Sequence, residues 1–304
     1  MKKLLLPAML LAGLVITQGC QHDEPEVINP ENADDGGINH KPAWGGTDTI
    51  TISFARAFGI TQQQMGAGTR AAMESTVSRI DLWLIQGGDT TIYHQQQGDE
   101  GFGTFRLSLN RKNTYTLKAI GHKGAQALQM SEGIILFPQN EKITHTFYTA
   151  HTFKPDTITG GTLHLKASRI VGQMVMQTTD SVPARVKTMR FRIHQAPCRW
   201  NTADSTGTDL KDRTVEFTSI SRRADGSATF TIYILPADVK QQHHYTVTAT
   251  ALDAQSATVE EREFTDVPIR ANYRSQYTGQ LFITRSTGIS FEIDDWQEYP
   301  PTNF

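Results

Sequence analysis

The chain has 304 residues, with 29 basic against 31 acidic side chains and a formal net charge of −2. That balance is no footprint for nucleic acid, which needs a clustered basic face. With 38% hydrophobic and 20% charged residues, the composition suits a soluble globular body.

The first stretch reads as an export signal. Lys2 and Lys3 give a positive start, and Leu4 to Ile16 is apolar except for Gly13 and a break at Pro7. A run this short does not span a bilayer, which takes roughly 20 residues. Gly19-Cys20 resembles the cut site of a bacterial lipoprotein, in which the cysteine is acylated and becomes the new N-terminus. Thr17 departs from that pattern, which usually has Leu three residues before the cysteine. The chain less its first 19 residues has 285, with 27 basic and 31 acidic side chains, a net charge of −4. With Cys20 lipidated, Cys198 has no cysteine partner, which excludes an intramolecular disulfide and a cysteine-based metal site. Cys198 therefore reads as a packed or loop thiol. Residues 20–47 read as a tether, with Pro25, Pro30, Pro42 and two Gly-Gly pairs and few side chains to bury. Asp23 and Glu24 resemble the acidic signal that sends some lipoproteins to the outer face of the outer membrane.

Beyond residue 47 the dominant period is two, the mark of strands with one buried face. Ile50, Ile52 and Phe54 alternate with polar residues. Ile80 to Ile85 is apolar on both faces, and Gly87-Gly88-Asp89 turns the chain. Phe105, Leu107 and Leu109 alternate, as do Tyr115, Leu117 and Ala119; Ile134–Phe137 and Ile143–Tyr148 complete a first set. Lys154-Pro155 and Gly160-Gly161 break the pattern. A second set runs from Thr162 through Met189, Phe191 and Ile193, past an expected polar loop at 196–212, to Phe230, Ile232 and Ile234. Tyr245, Val247 and Ala249 alternate, and so do Ile289, Phe291 and Ile293. Long amphipathic helical patterns are absent. The expectation is an all-β fold of two sandwiches, 48–158 and 159–304. An internal echo supports it: Phe105-Arg106-Leu107 leads to Tyr115-Thr116-Leu117-Lys118-Ala119, and Phe230-Thr231-Ile232 leads to Tyr245-Thr246-Val247-Thr248-Ala249.

Reaction chemistry is not visible. The chain lacks a Gly-x-Ser-x-Gly elbow, a phosphate-cradling glycine loop and a His-Glu-x-x-His helix. His243-His244 and Asp294-Asp295 are strand neighbours whose side chains diverge. Asp99-Glu100-Gly101 lacks the ligand spacing of a calcium loop and reads as a surface turn. No enzyme, metal or cofactor is expected. Of the four tryptophans, Trp83 reads as core, and Trp200, in the expected polar loop, is the one candidate for an exposed glycan contact.

Three stretches resemble the type V fimbrillin superfamily, most closely its FimB-type anchor and minor-subunit branch. They are Thr69-Arg70-Ala71 before Arg79–Leu84; Leu165–Gly172 before Asp180-Ser181-Val182-Pro183; and Val267–Arg274 before Tyr277–Phe282. The resemblance implies two tandem transthyretin-like β-sandwiches and a surface-exposed lipoprotein of the outer membrane. It implies assembly with other fimbrial subunits by strand addition, in which a strand of one subunit fills a groove of the next. It also marks Arg70 as a candidate processing site whose cleavage would free the strand holding Ile50, Ile52 and Phe54. A solvated loop arginine remains the alternative for Arg70. Ile289, Phe291 and Ile293 are the further candidates for a groove or donor strand. The alternative function is a glycan-binding outer-membrane lipoprotein.

Overall fold

In the computed structural model the described residues are 46–54, 76–139 and 141–282, with the backbone of 289–295. In chain order the strands are β1 (Thr47–Ser53), β2 (Arg79–Gln86), β3 (Asp89–Gln96), β4 (Thr104–Asn110), β5 (Tyr115–His122), β6 (Gln129–Ser131), β7 (Ile134–Leu136), β8 (Thr146–Phe153) and β9 (Thr162–His164). They continue as β10 (Ser168–Arg169), β11 (Gly172–Thr178), β12 (Thr188–Asn201), β13 (Thr206–Phe217), β14 (Thr229–Ile234), β15 (His243–Leu252), β16 (Thr258–Ile269), β17 (Tyr273–Gly279) and β18 (Ile289–Asp295). The all-β expectation holds. Four sheets result, ordered β4-β1-β9, β10-β8-β5-β2-β3, β14-β11-β17-β18 and β16-β15-β12-β7-β6, with β13 hairpinned onto β12.

The pairings repeat. β1 lies between antiparallel β4 and parallel β9, and β11 lies between antiparallel β14 and parallel β17. β5 lies between β2 and β8, and β15 lies between β12 and β16. β2–β3 and β12–β13 are the matching hairpins. The Tyr-Thr echo is part of this repeat. Tyr115 Oη accepts the Asn110 amide at 3.1 Å, and Tyr245 Oη accepts the Ala237 amide at 3.1 Å. Each tyrosine ties down the connection by which the chain crosses from one sheet to the facing one. Burial pushes the Tyr245 phenol up to about 12, so it stays a neutral donor and acceptor.

Period-two alternation fills two cores. The first takes Ile50, Ile52, Leu107 and Leu109 from one sheet and Ile80, Leu82, Leu84 and Leu117 from the other. The second joins Met174, Phe230 and Ile232 to Phe191, Val247 and Val267. A third cluster lies on the back of β2 and β5, where Trp83 and Ile120 meet Ile135, Phe137, Val171, Trp200 and Leu235. β2 is apolar on both faces because it is packed on both.

Several expectations change here. The stretch expected as a polar loop at 196–212 is the far half of a long hairpin, β12–β13. Trp200 is 1% exposed on β12 and packs edge-on against Tyr148, with ring centroids 4.3 Å apart. It is therefore no exposed platform for a glycan. Pairing also crosses the break near residue 158. β9 joins the sheet of β1, β10 joins the sheet of β8, and the β6–β7 hairpin joins β12. Trp83 is buried as expected, though in the third cluster rather than the first core. Cys198 is a buried free thiol.

Candidate functional site: strand β1, the sheet edges and a buried carboxylate

β1 is held on both sides. It runs antiparallel to β4 from Thr47↔Asn110 to Ser53↔Thr104, and parallel to β9 over Thr51↔Thr162 to Ser53↔His164. Beyond the ladder, the Phe54 amide donates to Gly103 O at 2.8 Å and the Leu165 amide to Ser53 O at 3.1 Å. Ile50, Ile52 and Phe54 are at most 1% exposed. Burying each such side chain contributes roughly 1.5–3 kcal/mol. Phe54 meets Phe105 edge-on at 5.8 Å. At the other end, Arg111 Nε donates to Asp48 at 2.6 Å, and this carboxylate holds the guanidinium above its ordinary value. Ile50 and Ile52 on β1, with Phe54 just past its end, are thus brought together as one apolar stripe.

The remaining candidates fall elsewhere. Cys20 and Arg70 lie outside the described residues. Ile289, Phe291 and Ile293 lie on β18, which pairs antiparallel with β17 and ends its sheet. His243 and His244 diverge as expected: His243 Nε2 accepts the Asp238 amide, while His244 pairs with Asp266. Asp99 closes a turn by accepting the Gln96 amide at 2.8 Å.

Sequence reasoning missed a polar cluster on β2. Asp81 is fully buried and accepts three hydrogen bonds: from His94 Nδ1 at 2.8 Å, His122 Nε2 at 3.0 Å and the Leu128 amide at 2.8 Å. His122 Nδ1 accepts the Gly124 amide at 2.9 Å, so its proton sits on Nε2. The available signal was a lone carboxylate inside an apolar strand, which must be paired to be buried. A carboxylate–imidazole pair can orient a general base. Here both nitrogens of His122 are committed, and among the described residues no side-chain hydrogen bond joins His94 or His122 to a serine, threonine or cysteine. The cluster acts as a clamp, binding β3, β5 and the Leu128 loop to β2. Among the described residues no group of three or more His, Cys, Asp or Glu is placed to hold a metal ion.

The fold occurs elsewhere. Over 83% of this chain and 99% of the other, it is similar to the solved structure of a protein provisionally assigned to cell adhesion from Bacteroides ovatus, with a TM-score of 0.51 and 14% identity. Looser likenesses include the tip fimbrial protein Mfa3 of Porphyromonas gingivalis, with a TM-score of 0.43 and 10% identity over 82% of this chain and 100% of that one. The fimbrial anchor protein Mfa2 of the same organism has a TM-score of 0.37 and 9% identity over 82% of this chain and 98% of that one. The first likeness shows a shared fold, and the other two score too low to add to it. No family model matches the chain, and no curated protein matches it in sequence.

Proposed function

We propose that this chain is a structural protein of a surface fimbrial system, an anchor or minor subunit held in the outer membrane by lipid on Cys20. It works without catalysis, through contacts with other subunits. The observation that carries the reading is the placement of β1. An interior strand near the start of the fold, with Ile50, Ile52 and Phe54 buried, fills a groove whose walls are β4 and β9. Loss of that strand would expose two rows of backbone donors and acceptors and an apolar floor, which an added strand satisfies. Cleavage at Arg70 would separate β1 from the body; an anchor would keep it. The fold shared with a protein assigned to cell adhesion supports the surface role. The body is read as two sandwich domains, 48–158 and 159–304, that exchange short strands across the break. The glycan-binding alternative loses its named platform, because Trp200 is buried.

Mass spectrometry of the mature N-terminus, with membrane fractionation of Cys20→Ala, tests this. The expected result is an acylated Cys20 and release of the variant from membranes. A new end at Ala71 would recast the chain as a processed shaft subunit. An unacylated chain whose Cys20→Ala variant stays membrane-bound would overturn the anchor.

A further inference from the structure

β2 and β3 are joined by a two-residue turn, Gly87-Gly88, both with positive φ (59° and 100°), and closed by the pair Gln86↔Asp89. In such a hairpin the closing pair exchanges both backbone hydrogen bonds, and every second pair follows suit. Thr91, Tyr93 and Gln95 therefore face β2. The amides and carbonyls of Thr90, Ile92 and His94 point out of the sheet. The next residue in that outward series, Gln96, bears this out: its amide leaves β2 and donates to Asp99 at 2.8 Å. β3 ends its sheet, and among the described residues no strand pairs with its outer side.

Two long edge strands, β16 and β13, are guarded against strand addition, whereas the shorter edge β14 carries no charge. β16 carries Glu260, Glu261, Arg262, Glu263 and Pro268. β13, which holds the same hairpin place in the second half, carries Asp209, Lys211, Asp212, Arg213 and Glu216. Charges and proline are the usual blunting devices of an exposed edge. β3 from Thr90 to Gln96 has no acidic residue, lysine, arginine, proline or glycine, and Ile92 is 50% exposed.

We propose that β3 pairs antiparallel with β3 of a second copy of this chain, about a two-fold axis between the two Ile92 residues. In this register each Ile92 exchanges both backbone bonds with its counterpart, and each Thr90 faces the other copy's His94. No other two-fold register matches all three outward residues with one another. Asp89, the strand's one formal charge, then lies opposite Gln95, so no like charges meet, and the two exposed isoleucines cover each other. The ladder is short. It buries less than the roughly 800 Å² per partner of a standard interface, so the dimer is weak and forms at high protein concentration.

Sedimentation velocity of the full chain over a concentration series tests this, alongside Ile92→Pro. The proline removes an outward amide that β2 does not use. The wild type is expected to dimerise, and Ile92→Pro to dimerise at least about tenfold more weakly. Should the proline disturb the hairpin, Ile92→Lys, checked for fold by circular dichroism, gives the same reading through like-charge repulsion. Oxidised Ile92→Cys is expected to cross-link to itself, since Cα atoms of a hydrogen-bonded pair lie about 5.5 Å apart. Glu261→Cys on β16 is expected not to. A chain that stays monomeric throughout, a dimer indifferent to both Ile92 variants, or cross-linking at 261 in place of 92 would overturn the proposal.

Discussion

The two halves of the molecule share one topology and use it differently. In the first half the hairpin β2–β3 is short, closed by two glycines, and stays within its sheet. In the second half the matching hairpin β12–β13 is nearly twice as long and is broken by a bulge. Between the pairs Ile193↔Arg213 and Ala196↔Lys211, two residues of β12 oppose Asp212 alone. Gln195 takes a φ of 50° there, and its amide is held by Asp212 at 3.0 Å. Before the bulge β12 pairs with β15; beyond it, β12 pairs with β7. One local defect thus converts a hairpin into a clasp, and the clasp carries Trp200 onto the back of the first half. The bulge re-aims the strand, and the third cluster is the result.

If the clasp binds the halves together, breaking it should cost more than trimming the unclasped hairpin. The largest effect is expected from Trp200→Ala. It removes the centre of the third cluster and should destabilise by about 3–5 kcal/mol, read from the midpoint of urea unfolding. The same truncation at the exposed Ile92 of β3 should cost less than about 0.5 kcal/mol. Equal losses at the two positions would dissolve the comparison.

Next comes Arg213 on β13. It is 5% exposed and donates to three carbonyls of one loop, Phe137 O at 3.1 Å, Pro138 O at 2.9 Å and Glu141 O at 2.9 Å. Hydrogen bonds from a charged donor contribute about 1.5–3 kcal/mol, and their loss leaves those acceptors unpaired. Arg213→Met is expected to cost about 2–3 kcal/mol in the same measurement. Arg106, an exposed arginine on β4 of the first half, should change by less than about 0.5 kcal/mol when replaced in the same way. A loss at Arg213 no larger than at Arg106 would mean that the loop is held by other contacts.

The two cores were legible because alternation is a local signal. Ile50, Ile52 and Phe54, or Met189, Phe191 and Ile193, state which face is buried without reference to a partner. The Tyr115 and Tyr245 echo was legible for the same reason, since each tyrosine binds a connection only a few residues away. The third cluster was not. Ala196, Cys198 and Trp200 do alternate inward, but two of them are small, and Pro197 and Arg199 between them read as loop. β2 announced two buried faces without naming what covers the second. The outer partners of β7, β9 and β10 depend on pairing across the chain's midpoint, which local pattern does not encode. Asp81 stood in plain view inside an apolar strand, but its imidazole partners come from β3 and β5, and their meeting is set by sheet register.

A smaller effect should separate the halves by pH. His145 sits just before β8, in the first half, and its Nε2 lies 2.8 Å from Tyr233 Oη on β14, in the second. Burial, then the charges of Arg169 and Lys123, push its pKa from 6.5 down to about 4. The folded chain therefore keeps this imidazole neutral where the unfolded chain protonates it. Above about pH 6.5 neither state binds the proton, and the contact contributes in full. As pH falls from 6.5 towards 4 the unfolded state takes up the proton first, so stability declines with acid and the loss is complete below pH 4. A full shift of this size corresponds to about 3 kcal/mol, which partial solvent access reduces to about 1–2 kcal/mol. His145→Gln keeps a hydrogen-bonding partner for Tyr233 and removes the titration. Its unfolding midpoint should fall less steeply than that of the wild type between pH 7 and pH 4.5. Parallel slopes in the two proteins would show that the proton is taken up elsewhere, and that this contact between the halves is not where acid acts.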